Sequence, residues 1–137
     1  MTTLTLAQAQ TIVTATLAKG REMGLKPICV AVLDRGGHLI VLQREDGASN
    51  LRPQIAMAKA SGALGLGVSS RTIGEMAAER PTFVASLASL TGAEIIPAAG
   101  GLLIKVGDEL VGAVGVTGDT SDNDEACAAA GIAAAGL

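Results

Sequence analysis

Two apolar runs, residues 102–106 and 110–117, flank the dipeptide Gly107-Asp108, and no other stretch limits the fold as strongly. A Gly-first two-residue loop between β-prone runs marks a hairpin, because glycine supplies the positive φ that primed turns need. The second run breaks at Gly118. Ser121 then stands ahead of Asp122, Asp124 and Glu125 and an Ala-rich tail. A hydroxyl N-cap with carboxylates in the first turn satisfies free amides and complements the dipole, so the spacing predicts a helix at Ser121.

Upstream, Thr5 and Gln8 make a capping box. Leu6, Ala9, Val13, Leu17 and Gly20 then repeat at helical spacing, which predicts an amphipathic helix from 6 to about 23. Residues 28–33 form a strand apolar on both faces, a pattern suited to a sheet covered on both sides. Asp34-Arg35-Gly36-Gly37 turns into a return strand at 38–44. Ser49 or Asn50 caps a second helix that carries Pro53 in its first turn and runs to Gly67. Ser69 or Thr72 opens a third, closed by Arg80-Pro81, and residues 82–90 form a further short helix. Residues 94–97 are expected as an edge strand, since Pro97 cannot sit in the middle of a ladder.

Hairpins on either side of a helical block predict an α+β fold. The expected architecture is a three-layer α/β/α sandwich, with helices on both faces of a central antiparallel sheet of about five strands. The run 110–117 takes its centre, beside 28–33. No linker or repeat interrupts the 137 residues, so residues 1–137 are read as one domain.

The composition narrows the function. Phe83 is the only aromatic residue, so the core is built of Ala, Val, Ile and Leu, and stability leans on many small contacts or on burial between subunits. Net charge is −3 and no basic stripe runs along the chain, which argues against nucleic acid. No apolar run is long enough to span a bilayer. The first residues lack the basic start and apolar core of a secretory signal. Cys29 and Cys127 read as reduced thiols, so a cytoplasmic protein is expected.

Several residues carry chemistry. Arg44 ends a strand, where its guanidinium can clamp a carboxylate or instead pair with Glu45 or Asp46. Lys59 interrupts the small, apolar IAMAKASGALGLG; its ammonium either enters a pocket with a shifted pKa or snorkels to water. Gly100-Gly101 and Gly118 allow close approach of a ligand to backbone amides. The acids after Gly118 already occupy the positive helix end, so self-capping is the default reading there. Their spacing fails the EF-hand pattern, and no metal site is expected. His38, the single histidine, starts a strand beside a Gly-Gly turn and is a candidate haem ligand.

The motifs VAVLDRGGHLIVLQREDGA, IAMAKASGALGLG and IIPAAGGLLIKVGDELVGAVGVTGDTSDNDEACAAAG resemble the GlcG/HbpS family, a haem-degrading domain similar also to the C-terminal domain of PduO. The resemblance implies a profilin-like, helix-flanked five-stranded antiparallel sheet and stable homo-oligomers, dimer-based and often octameric. It also implies binding, and in some members degradation, of haem; other members accompany glycolate, glycerol or diol catabolism. Carried over by motif, the site residues are Asp34, Gly37, Arg44, Asp46, Lys59, Pro97, Gly100, Gly101, Gly118 and Asp124. Leu103 stands where members usually carry Pro, and Ala58 where Gly or a polar residue often precedes the Lys.

Three functions follow. The first is a small-ligand-binding protein with haem as a candidate ligand, His38 or another side chain near the iron and Arg44 or Lys59 near the propionates. The second is an enzyme on a small hydroxy or keto acid, with Lys59 as base or Schiff-base former, Arg44 as clamp and the Gly100-Gly101 amides as oxyanion donors. The third is a non-catalytic oligomeric accessory protein.

Overall fold

The computed structural model describes residues 2–91 and 94–137. Strands β1 (Cys29–Asp34) and β2 (Leu39–Arg44) form one hairpin, and β3 (Gly101–Val106) and β4 (Glu109–Thr117) the other. Gly107, at φ 62°, supplies the positive dihedral of the second turn. β1 pairs antiparallel with β4, Cys29 opposite Thr117 and Ala31 opposite Gly115, so the strand order is β2-β1-β4-β3. The two strands read as central, β1 and β4, are the central pair.

Five helices accompany the sheet: α1 (Leu6–Glu22), α2 (Arg52–Leu66), α3 (Ser70–Glu79), α4 (Pro81–Thr91) and α5 (Ser121–Ala134). The Thr5 capping box opens α1 as its sequence requires. Strand side chains alternate between faces. Val30, Val32, Val114 and Val116 therefore meet Ile12 and Val13 of α1 and Cys127 of α5, while Cys29 and Ala31 meet Ala56 of α2, and Leu33 and Ala113 meet Ala60. The fold is α+β with an antiparallel sheet.

The sheet has four strands among the described residues, not five. Residues 94–97, expected as an edge strand, are irregular. Their polar groups and side chains are engaged by helices instead. The Ser61 hydroxyl donates to the Glu94 carbonyl at 2.9 Å, and Ile95 lies over Gly62. Two caps also differ. Thr120 rather than Ser121 caps α5, its hydroxyl accepting from the Asn123 amide at 3.3 Å. Leu51 precedes α2 with no side-chain cap, because the Asn50 carboxamide accepts from Arg44 instead.

One contact sets the spacing between α2 and the sheet. A Cβ on Gly115 would overlap the Ala56 carbonyl oxygen, so the helix lies almost on the backbone of β4. Gly65, by contrast, has open space where a Cβ would go. Gly115→Ala is expected to destabilise the fold by about 3 kcal/mol through overpacking. Gly65→Ala should stabilise by roughly 0.5–1 kcal/mol by restricting the unfolded chain. Urea unfolding midpoints check both; an unchanged midpoint in Gly115→Ala would refute the close approach.

Candidate functional site

Lys59 lies on the face of α2 that meets β4, a face that also carries Ala56 and Ala60. Its side chain is 3% exposed. It donates to the Val116 carbonyl at 2.9 Å and to Asp124 Oδ2 at 3.3 Å. Gly100, at φ 131°, makes room for it: a Cβ there would stand 2.8 Å from Nζ. Gly101 passes against the Lys59 backbone carbonyl. Gly118, at φ 142°, turns the chain from β4 into α5, against the Pro27 carbonyl, and so delivers Asp124 to the ammonium.

Both members of the pair are nearly free of water, with side-chain exposures of 3% and 2%. Burial pushes the Lys59 ammonium below the usual lysine range, opposed by attraction to Asp124, and the Arg52 guanidinium pushes it the same way as burial. Burial likewise raises the Asp124 carboxyl, opposed by the Asp119 amide and by Lys59. Each shift has desolvation as its largest cause, as expected for charges taken out of water. The second carboxylate oxygen, Oδ1, accepts from the Asp119 amide at 3.0 Å. Asp119 in turn accepts from Asn123, Thr120 and Lys26, contacts that hold its carboxyl down at about 2.

The structure thus brings together Lys59, Gly100, Gly101, Gly118 and Asp124. The arrangement is an internal clamp joining α2, β4 and α5, and the Lys59 ammonium neither lines an open pocket nor snorkels to water. The Gly101 amide is not a free oxyanion donor either, since it donates to Ser70 Oγ at 2.7 Å. Pro97 is exposed, its carbonyl packed at the Gly74 position of α3.

Arg44 is set apart from this clamp. It ends β2, is exposed, and donates from Nη1 to Asn50 Oδ1 at 3.1 Å. Asp46 is exposed in the following loop, and Arg44, Glu45 and Asp46 line, with Leu17, Arg21, Pro27 and Gln43, a cleft of about 460 Å³. Glu45 is held by Arg21 at 3.1 Å and by the Ile28 amide at 2.8 Å.

His38 and Asp34 lie at the other end of the sheet, in the β1–β2 turn. From Cys29 to Asp34 the strand advances about 17 Å, so neither Arg44 nor Lys59 shares a site with His38. Asp34 Oδ1 accepts from the Gly36 and His38 amides, both at 2.9 Å, and approaches His38 Nδ1 at 3.2 Å. The His38 amide is the largest influence lowering the Asp34 carboxyl. Gly37, at φ 84°, completes the turn. The imidazole is 82% exposed, and beside it Leu4, Ile40, Val111 and Arg35 line a cleft of about 430 Å³.

Both cysteines are buried free thiols, and burial pushes Cys29 up to about 11. Among the described residues no three His, Cys, Asp or Glu side chains are grouped to hold a metal ion. Sequence reasoning missed Ser70, Thr117 and Arg52. Arg52 carried a signal: a cation in the first turn of a helix opposes the dipole and calls for another reason to be there.

A family model described as "Haem degrading protein HbpS-like" matches residues 4–133. The chain belongs to the HbpS-like family. A Citrobacter freundii relative, described as an uncharacterized 15.0 kDa protein in the dhaT-dhaS intergenic region, is 31% identical over 122 residues, 89% of this chain and 84% of the relative. The crystal structure of Klebsiella pneumoniae ORFY is similar with a TM-score of 0.89 and 30% identity, covering 100% of this HbpS-like chain and 93% of ORFY. A structure titled as a PduOC:heme complex has a TM-score of 0.86 at 20% identity, covering 97% and 95%; that likeness is one of fold.

The clamp predicts a specific asymmetry. Lys59→Met leaves the Asp124 carboxylate buried without its cation and should cost about 3–5 kcal/mol. Adding Asp124→Asn removes the stranded charge, keeps an acceptor for the Asp119 amide, and should restore more than half of the loss. Urea unfolding of the two variants at pH 7 is the measurement. A neutral Lys59→Met would contradict the clamp.

Proposed function

We propose that this HbpS-like chain is a small-ligand-binding protein and that haem is its ligand, carried on the imidazole of His38. The observation supporting this reading is the Asp34–His38 pair. A carboxylate at Nδ1 fixes the ring and its tautomer and leaves Nε2 free, the arrangement that metal-ligating histidines commonly use. The adjoining cleft supplies aliphatic walls from Leu4, Ile40 and Val111. Phe83, the one aromatic residue, lies on α4, so aliphatic packing is what this chain offers a macrocycle. The donor set therefore fits haem: one oriented imidazole beside an apolar cleft. The family description and the haem named with the PduOC structure point the same way.

Bound haem would supply iron for ligand binding or redox chemistry. The protein's part is to hold it. His38 ligates, Asp34 orients His38, and the turn amides of Gly36 and His38 hold Asp34. Arg35 flanks the cleft but is engaged with Glu109 at 3.1 Å and the Leu110 carbonyl at 2.8 Å. Self-association fits this chain as well, since Leu39, Leu51 and Leu90 are exposed by 50%, 61% and 77% and would gain from being covered. No helix among the described residues is long and apolar enough to cross a membrane.

Titration with hemin tests the reading. The wild-type chain should give a sharp Soret shift that saturates at one haem per protomer, and His38→Ala should abolish it. Asp34→Asn, which keeps an acceptor for the turn amides, should weaken hemin binding by about tenfold or more. An undiminished Soret shift in His38→Ala would overturn the assignment.

A further inference from the structure

Arg44 and Arg52 differ from Arg21, Arg35 and Arg71 in having only neutral oxygens for partners. Arg21, Arg35 and Arg71 each hold a carboxylate, whereas Arg44 donates to Asn50 and Arg52 donates from Nη1 to Thr117 Oγ1 at 2.9 Å. Neither forms an ion pair among the described residues.

The sheet register aligns them. Arg44 is opposite Cys29, and Cys29 is opposite Thr117. Directly opposed residues share a face, so Arg44 and Thr117 stand two strands apart on the α2 side, about 10 Å across the sheet. Arg52 reaches the same Thr117 from the first turn of α2. Each guanidinium carries five N–H donors and commits one of them here. The Thr117 hydroxyl, 2% exposed, accepts from Arg52 while its own proton has no acceptor among the described residues.

The nearby acids do not balance this surplus. Glu45 is held by Arg21, Asp124 by Lys59, and Asp119 by the Lys26 amide and by Thr120 and Asn123. Asp46 is exposed and bonds to neither guanidinium. On the same face Leu42 and Met57 pack against Cys29, Ala31 and Ala56, giving an aliphatic wall beside the donors.

We propose that Arg44 and Arg52 form a binding site for a small organic carboxylate, with the two guanidiniums on its oxygens, Thr117 holding Arg52 in place, and Leu42 and Met57 against its short aliphatic part. Planar forks match a carboxylate in geometry as well as charge. The site lies at the Cys29 end of β1, and His38 lies at the other, so it stands whether or not haem binds there.

Calorimetric titration of the full chain with propionate, and separately with inorganic phosphate, at matched ionic strength tests the proposal. Propionate should bind the wild-type chain. Arg44→Gln and Arg52→Gln should each raise its Kd about tenfold, the loss of one charged contact. If Arg52→Gln does not fold by circular dichroism, Arg52→Lys, which keeps the charge and loses the fork, should still weaken propionate, and exposed Arg44→Gln decides alongside it. No propionate binding, an unchanged Kd in the variants, or binding of phosphate alone would each overturn the carboxylate assignment.

Discussion

An ammonium cut off from water must be met by oxygens, and in this chain that requirement ties three elements to one point. Lys59 draws the Val116 carbonyl of β4 and the first turn of α5 against α2, and the approach works only because glycines stand where it happens. Gly100 clears Nζ, Gly101 clears the helix backbone, Gly115 lets α2 rest on the strand, and Gly118 bends the chain towards Asp124. A core nearly without aromatics is the counterpart of this spacing. Elements that pack backbone to backbone leave little room for large side chains.

The middle of the sheet is filled in this way, and the two proposed sites lie at its two ends. At one end the β1–β2 turn fixes a single imidazole through Asp34. At the other, Arg52 reaches Thr117 from α2 and Arg44 stands two strands away on the same face, neither with a carboxylate of its own. The clamp lies nearer the second end, yet it is closed, since the Lys59 ammonium already has its acceptors inside the fold. Catalysis by Lys59 would require that pair to part first. Binding at the open ends requires no such rearrangement.

Much of the fold could be read from local chemistry. The Thr5–Gln8 box, the Gly107-Asp108 turn and the doubly apolar β1 each encode their element within a few residues, and each forms as expected. The expected strand at 94–97 did not form, because Ser61 and the α2 surface compete for that backbone, a tertiary contact invisible in the sequence. Asn50 read as a cap for the same reason: nothing local reveals that Arg44 takes its carboxamide. For the site, the oddity of Lys59 was legible but its partner was not. Asp124 looked like one more acid of a helix start, and only the turn at Gly118 separates it from Asp122 and Glu125 in role. Arg52 passed unnoticed beside Pro53, although its unfavourable place on the dipole was the available clue.

The account rests on Lys59 being sealed inside the fold, and amine acetylation of the native protein tests this most directly. The chain has four lysines, and mass spectrometry resolves each after digestion. Under native conditions Lys19, Lys26 and Lys105 should be modified while Lys59 stays unmodified, becoming reactive only after unfolding in urea. Acetylation of native Lys59 at the rate of the other three would contradict the clamp and reopen that ammonium as a site for chemistry.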